Sequence, residues 1–329
     1  MIRMKNYLNR LIVGMAVALM AIGGYAAHVY RNPVVDRSLP DPSVIQVNNT
    51  FYLFATEDIH NMPIYSSRNL TDWKFVGTAF TDSTRPTFVK EGGLWAPDIN
   101  KIGNQYVLYY AMSKWGGEWQ CGIGRAVADN VQGPYKDLGK LFISSEIRVQ
   151  NSIDPCYVED KGKKYLFWGS FHGIYAAELS DDGLTLAKDT KPVKVAGTAY
   201  EGALVYKRKG FYYLFASIGF CCEGLKSTYT TVVGRSKNIM GPYLDKDGNS
   251  MLDNHHEVLI HKNKRFVGTG HNSEIITDKA GHDWLLYHAY RTSDVESGRV
   301  LMLDRVVWKK DWPCVVTNSP SKISKAPVL

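Results

Sequence analysis

The chain has 329 residues, 45% apolar, 22% charged and 12% aromatic, a balance that excludes a wholly disordered, collagen-like or disulfide-scaffold protein. Its formal charge of +7 raises the question of a nucleic-acid or membrane partner. The basic residues, among them Lys161, Lys163 and Lys164 and the run Lys207-Arg208-Lys209, sit in turns among acids, so no nucleic-acid partner is expected.

At the N-terminus, Arg3, Lys5 and Arg10 precede an apolar run at residues 11–22 and then Gly23-Gly24-Tyr25-Ala26-Ala27. A positive start, a short apolar middle and a small-residue end describe a secretory signal peptide; the run is too short for a membrane span, which needs about 20 residues. Residues 1–27 read as a signal peptide cleaved after Ala26 or Ala27, the alternative being an uncleaved anchor. The expectation is an exported, monomeric protein, periplasmic or extracellular, without stable membrane association. Loss of the segment leaves 36 basic against 32 acidic residues.

From residue 40 onward, short β-branched and aromatic runs alternate with Gly, Asn and Asp, and no long amphipathic helix stands out; the pattern is all-β. The runs repeat. Asp41-Pro42-Ser43-Val44 leads to Phe51-Tyr52-Leu53-Phe54, Pro97-Asp98-Ile99 to Tyr106-Val107-Leu108-Tyr109, and Asp154-Pro155-Cys156-Tyr157 to Tyr165-Leu166-Phe167-Trp168. Glu201-Gly202-Ala203-Leu204 leads to Tyr212-Tyr213-Leu214-Phe215, and His271-Asn272-Ser273-Glu274 to Trp284-Leu285-Leu286-Tyr287. Behind them, Arg125 to Gly133-Pro134-Tyr135 matches Arg235 to Gly241-Pro242-Tyr243. Five units of strand, turn, aromatic strand and two outer strands predict a single five-bladed β-propeller over residues 28–329. The alternative is a β-sandwich with coincidental strand similarity.

In a propeller the innermost strands converge, so equivalent residues form a ring near the axis. Four repeats place an acid there: Asp41, Asp98, Asp154 and Glu201. Crowded carboxylates repel and raise one another's pKa, which marks a functional mouth. Two of them flanking a sugar can hydrolyse a glycoside, and Trp95, Phe171 and the Trp115/Trp119 pair would stack on sugar faces. The structural alternative for each acid is a hydrogen bond locking one blade to the next; that reading is preferred for Asp98. The cysteines are five, irregularly spaced and no disulfide framework. Cys221-Cys222 is either a vicinal disulfide or two buried thiols, and Cys121, Cys156 and Cys314 read as buried thiols.

These motifs, with Leu94-Trp95-Ala96-Pro97-Asp98, Asn151-Ser152-Ile153-Asp154-Pro155 and Trp168-Gly169-Ser170-Phe171, resemble glycoside hydrolase family 43. Cys221-Cys222-Glu223-Gly224, Ser227-Thr228-Tyr229 and Gly268-Thr269-Gly270-His271-Asn272 resemble its endo-arabinanase branch. The resemblance implies inverting hydrolysis of α-1,5-L-arabinan, as in pectin side chains, with Asp41 as base, Glu201 as acid and Asp154 raising the pKa of Glu201. It also implies a sugar site lined by Trp95, Asn151, Ser170 and Phe171, one Ca2+ near His271, and no organic cofactor. The sequence departs from the family pattern at Thr269, where Pro is frequent, and at Gly202-Ala203, where many relatives read Ala-Pro. The alternatives are an exo-acting α-L-arabinofuranosidase or β-xylosidase of the same family and a non-catalytic carbohydrate-binding propeller; the loops at 58–63 and 114–120 would decide endo against exo.

Overall fold

The computed structural model describes residues 28–329; the expected signal peptide at residues 1–27 lies outside them. Five antiparallel sheets follow one another along the chain, at residues 43–78, 93–143, 156–196, 200–260 and 266–315. Their innermost strands, Ser43–Val47, Gly93–Ile102, Cys156–Asp160, Tyr200–Arg208 and Asn272–Thr277, touch in that cyclic order and return to the first. The molecule is a five-bladed β-propeller. Among the described residues the only α-helix is Ser144–Ile147.

The aromatic second strands are the packing layer between blades. Strand side chains alternate between faces, and on Gln105–Ser113 of blade 2 Leu108 and Tyr110 join the core shared with blade 1, while Val107 and Tyr109 join the core shared with blade 3. In blade 1, Phe54 packs towards blade 2 and Leu53 towards blade 5. Every second strand is thus apolar on both faces, and large rings fill the gaps that widen away from the axis.

The ring is closed by the two ends of the chain. Val35–Ser38 pairs with Asp294–Lys309 of blade 5, and Val29–Arg31 pairs with Ile323–Lys325. Asn32 completes the edge: its Oδ1 accepts the Leu303 N–H at 2.9 Å and its Nδ2 donates to the Leu303 carbonyl at 2.8 Å. One side-chain amide thereby takes the place of a strand's backbone.

Candidate active site

The ring acids sit where the inner strands depart from regular geometry. Asp41 and Asp154 adopt left-handed backbone conformations, φ 54° and 58°, which cost an L-residue about 1–2 kcal/mol. Glu201 opens a bulge whose next residue, Gly202, has φ 63°. Bulges re-aim side chains and gather near sites. All three carboxylates line one cleft of about 530 Å³ at the mouth of the propeller.

Their surroundings differ. Asp41 accepts the Thr56 hydroxyl at 2.6 Å and lies 3.6 Å from the Arg299 guanidinium. Burial pushes its pKa up, but nearby positive charge, that of Arg299 foremost, and the Thr56 hydroxyl outweigh it and hold the carboxyl below its ordinary value. His288 is fully buried, which keeps its imidazole neutral. Its Nδ1 accepts the Asp41 N–H at 3.2 Å, so the ring proton belongs on Nε2. Glu201 is pushed up by burial and by the charge of Asp41, against the Tyr229 and Ser170 hydroxyls. Asp154 is pushed well up by burial and by the charges of Glu201 and Asp41. One cleft therefore holds one carboxyl whose pKa is lowered and two whose pKa values are raised, the kind of contrast that acid–base hydrolysis needs.

A hydrogen-bond relay ends on Glu201. Ser170 donates to Glu201 Oε2 at 2.7 Å, and Asn151 Nδ2 donates to Ser170 Oγ at 3.0 Å. Asn151 and Ser170 line the cleft, Ser170 bonded to Glu201 and Asn151 to Ser170. Trp95 and Phe171 also line it. Trp115 lies over Trp95 with ring centroids 6.4 Å apart and is 81% exposed. Trp119 corrects the expectation of a stacking pair. The chain turns within 114–120, Gly117 donating to the Lys114 carbonyl, and Trp119 lines a neighbouring pocket with Phe88, Val89 and Ile143. Glu57, Asp58 and residues 114–118 form cleft wall.

Asp98 has the latch role: its Oδ2 accepts the Tyr157 N–H of the next blade at 2.7 Å, and it is absent from the cleft lining. In the fifth repeat the latch is Glu274, three residues beyond His271; it accepts the Ser43 hydroxyl and the Val44 N–H of blade 1. Burial and Glu274 raise Asp98 well above the usual range. Asp154 combines both functions, since its Oδ2 also accepts the Gly202 N–H at 2.9 Å.

His271 lies beside Asp41, Nδ1 to Oδ1 at 3.7 Å. Among the described residues no group of three or more His, Cys, Asp or Glu side chains is arranged to hold a metal. His271 offers a single imidazole, so a Ca2+ held beside it would take most of its shell from water. Both departures from the family pattern have a structural counterpart. A Cβ on Gly202 would stand 2.9 Å from the His271 ring. The Thr269 N–H donates to the Tyr229 carbonyl at 3.0 Å, a bond that proline cannot make.

Thr56, Tyr229, His288 and Arg299 are site residues that the sequence reading did not single out. Thr56 and Ser170 occupy the same place at the end of their aromatic strands, Phe54-Ala55-Thr56 and Trp168-Gly169-Ser170, so the repeat held a signal for the hydroxyls. Cys121 and Cys156 are buried thiols and Cys314 is half-buried, whereas Cys221 and Cys222 are joined as a vicinal disulfide.

The model of Glycosyl hydrolases family 43 matches residues 30–313. The extracellular exo-α-(1→5)-L-arabinofuranosidase ArbA of Cellvibrio japonicus is 37% identical over 303 residues, 84% of this chain and 85% of that protein. The extracellular endo-α-(1→5)-L-arabinanase 1 of Bacillus subtilis is 30% identical over 323 residues, 94% of this chain and 97% of that protein. Among solved structures, Cellvibrio cellulosa α-L-arabinanase complexed with arabinohexaose matches with a TM-score of 0.77 and 34% identity, covering 85% of this chain and 96% of that one. With its family match spanning nearly all of the propeller and relatives of this similarity, the chain belongs to glycosyl hydrolase family 43.

Proposed function

We propose that this protein is an exported, endo-acting α-1,5-L-arabinanase that inverts configuration. The observation that carries the reading is the contrast within one cleft: Asp41 held below its ordinary pKa beside Arg299, Glu201 and Asp154 held above theirs. Asp41 takes a proton from water as that water attacks the anomeric carbon, and Glu201 gives its proton to the departing glycosidic oxygen. Asp154 opposes ionisation of Glu201 and orients the peptide behind it. Trp95, Trp115 and Phe171 offer faces to furanose rings.

Endo action is supported by cleft walls contributed from blade 2, through Trp95 and Lys114, and from blades 3 and 4, through Phe171 and Phe220, which leaves chain-binding surface around the acid–base pair. The second reading, exo action, is favoured by the similarity to the Cellvibrio japonicus enzyme. Export is supported by the N-terminal pattern, by two relatives named extracellular, and by the Cys221–Cys222 disulfide, a bond suited to oxidising compartments. Digestion of linear arabinan tests the mode: a ladder of short oligosaccharides is expected, and release of arabinose alone from the start refutes endo action.

A further inference from the structure

The segment from Gly219 to Tyr229 crosses the rim of the cleft between two strands of blade 4. It is tied at its base: the Phe220 N–H donates to Thr228 Oγ1 at 3.0 Å, and Ser227 Oγ donates to the Phe220 carbonyl at 2.7 Å. A short turn, Gly224–Lys226, closes its far end, with the Ser227 N–H donating to the Gly224 carbonyl at 3.0 Å. Phe220, Cys221, Cys222 and Glu223 all line the cleft. Phe220 is 63% exposed and its ring centroid lies 6.4 Å from that of Phe171. An apolar ring and a disulfide are thus presented outward at a polar mouth, where burial in the core cannot account for them.

The strap belongs to the acid's side of the cleft. Its Phe220 meets Phe171, the neighbour of Ser170, whose hydroxyl donates to Glu201 Oε2 at 2.7 Å, and it runs into Tyr229, which lines the cleft with Glu201, whereas Asp41 is held from blades 1 and 5 by Thr56, His288 and Arg299. A general acid protonates the oxygen that leaves with the departing sugar, so that sugar lies next to the acid.

We propose that Phe220 and the Cys221–Cys222 disulfide form the wall of the subsite for the leaving-group arabinose. The inference rests on the arabinan reading and extends it to a substrate contact. A disulfide is polarisable and has no strong hydrogen-bond donor, so its sulfurs and flanking methylenes suit the C–H face of a furanose. The covalent link between neighbouring residues also restricts the strap before substrate arrives, which lowers the ordering cost of binding. Glu223, at the outer end of the strap, offers a carboxylate to the sugar hydroxyls beyond.

The test uses calorimetric binding to the Glu201→Gln protein, with its disulfide intact and with Cys221→Ser and Cys222→Ser added; a Glu201→Gln, Phe220→Ala protein removes the ring without touching the cysteines. Arabinose probes the core of the site and arabinohexaose spans the cleavage point. Loss of the disulfide or of the ring should weaken arabinohexaose roughly 10-fold and leave arabinose unchanged. Equal affinity for arabinohexaose with and without the disulfide and ring, or the same loss for both sugars, overturns the proposal. Failure of the disulfide-intact protein to bind arabinohexaose overturns the arabinan reading itself, so the two failures are distinguishable.

Discussion

The backbone N–H of Gly202 donates to Asp154 Oδ2 at 2.9 Å, so one carboxylate of the site grips the peptide that follows the other, Glu201. The contact crosses from blade 3 to blade 4 and fixes the two carboxyls as neighbours. Asp154 thus holds the peptide next to Glu201 while its own carboxyl is pushed up by burial and by the charge of Glu201.

Asp154→Asn tests that coupling. The amide oxygen can still accept from Gly202, but the charge is gone. Glu201 must be protonated to act, and its folded pKa is raised, so activity is lost as pH rises through that value. Removing the like charge lowers it, and the basic limb of the kcat/KM profile should move to lower pH by about one unit. An unmoved basic limb would remove Asp154 from the tuning of the acid.

Arg299→Gln shifts the other limb. Asp41 acts ionised and its folded pKa is depressed, so activity is lost as pH falls through that value. Without the guanidinium 3.6 Å away, the carboxyl pKa rises and the acidic limb should move up by about one unit or more. A pH–rate profile on arabinan checks this, and the basic limb should stay closer to its original place.

Asp98→Ala separates latching from chemistry. The Tyr157 N–H loses its acceptor, and stability should fall by about 1–3 kcal/mol. On the folded fraction kcat should remain within about three-fold of the parent, because Asp98 is absent from the cleft lining. Thermal melts and turnover on the same sample measure both.

Asn32→Ala opens the seam where the ring closes. The Leu303 N–H loses its acceptor, while its carbonyl loses the amide donor but keeps the Tyr30 hydroxyl at 2.6 Å, a cost of about 1–3 kcal/mol. The melting temperature should fall by several degrees, with the pH profile of the surviving enzyme unchanged.

The blades were legible because each second strand carries the same apolar–aromatic run, and a period of two places those side chains in both inter-blade cores. Asp41, Asp154 and Glu201 were legible because the repeat brings equivalent residues to one ring. Arg299 and His288 were not: they reach Asp41 from strands more than 240 residues further along the chain, and no local pattern encodes such a pairing. Glu274 was missed as the fifth latch because it stands three residues past the position the repeat marks. The Trp119 expectation failed on a turn whose direction is set by backbone contacts, the Trp119 carbonyl being held by the Ser145 N–H. Adjacent cysteines left disulfide and thiols open, since geometry rather than spacing decides between them.

The central claim, a base and an acid acting through water on an α-linked arabinan, is tested most directly by a proton-NMR time course of linear arabinan digestion. The first new reducing ends should carry the β anomeric signal, with the α form growing in only by mutarotation. First-formed α reducing ends would contradict it, because they require a covalent intermediate on one of the carboxylates instead of direct attack by water.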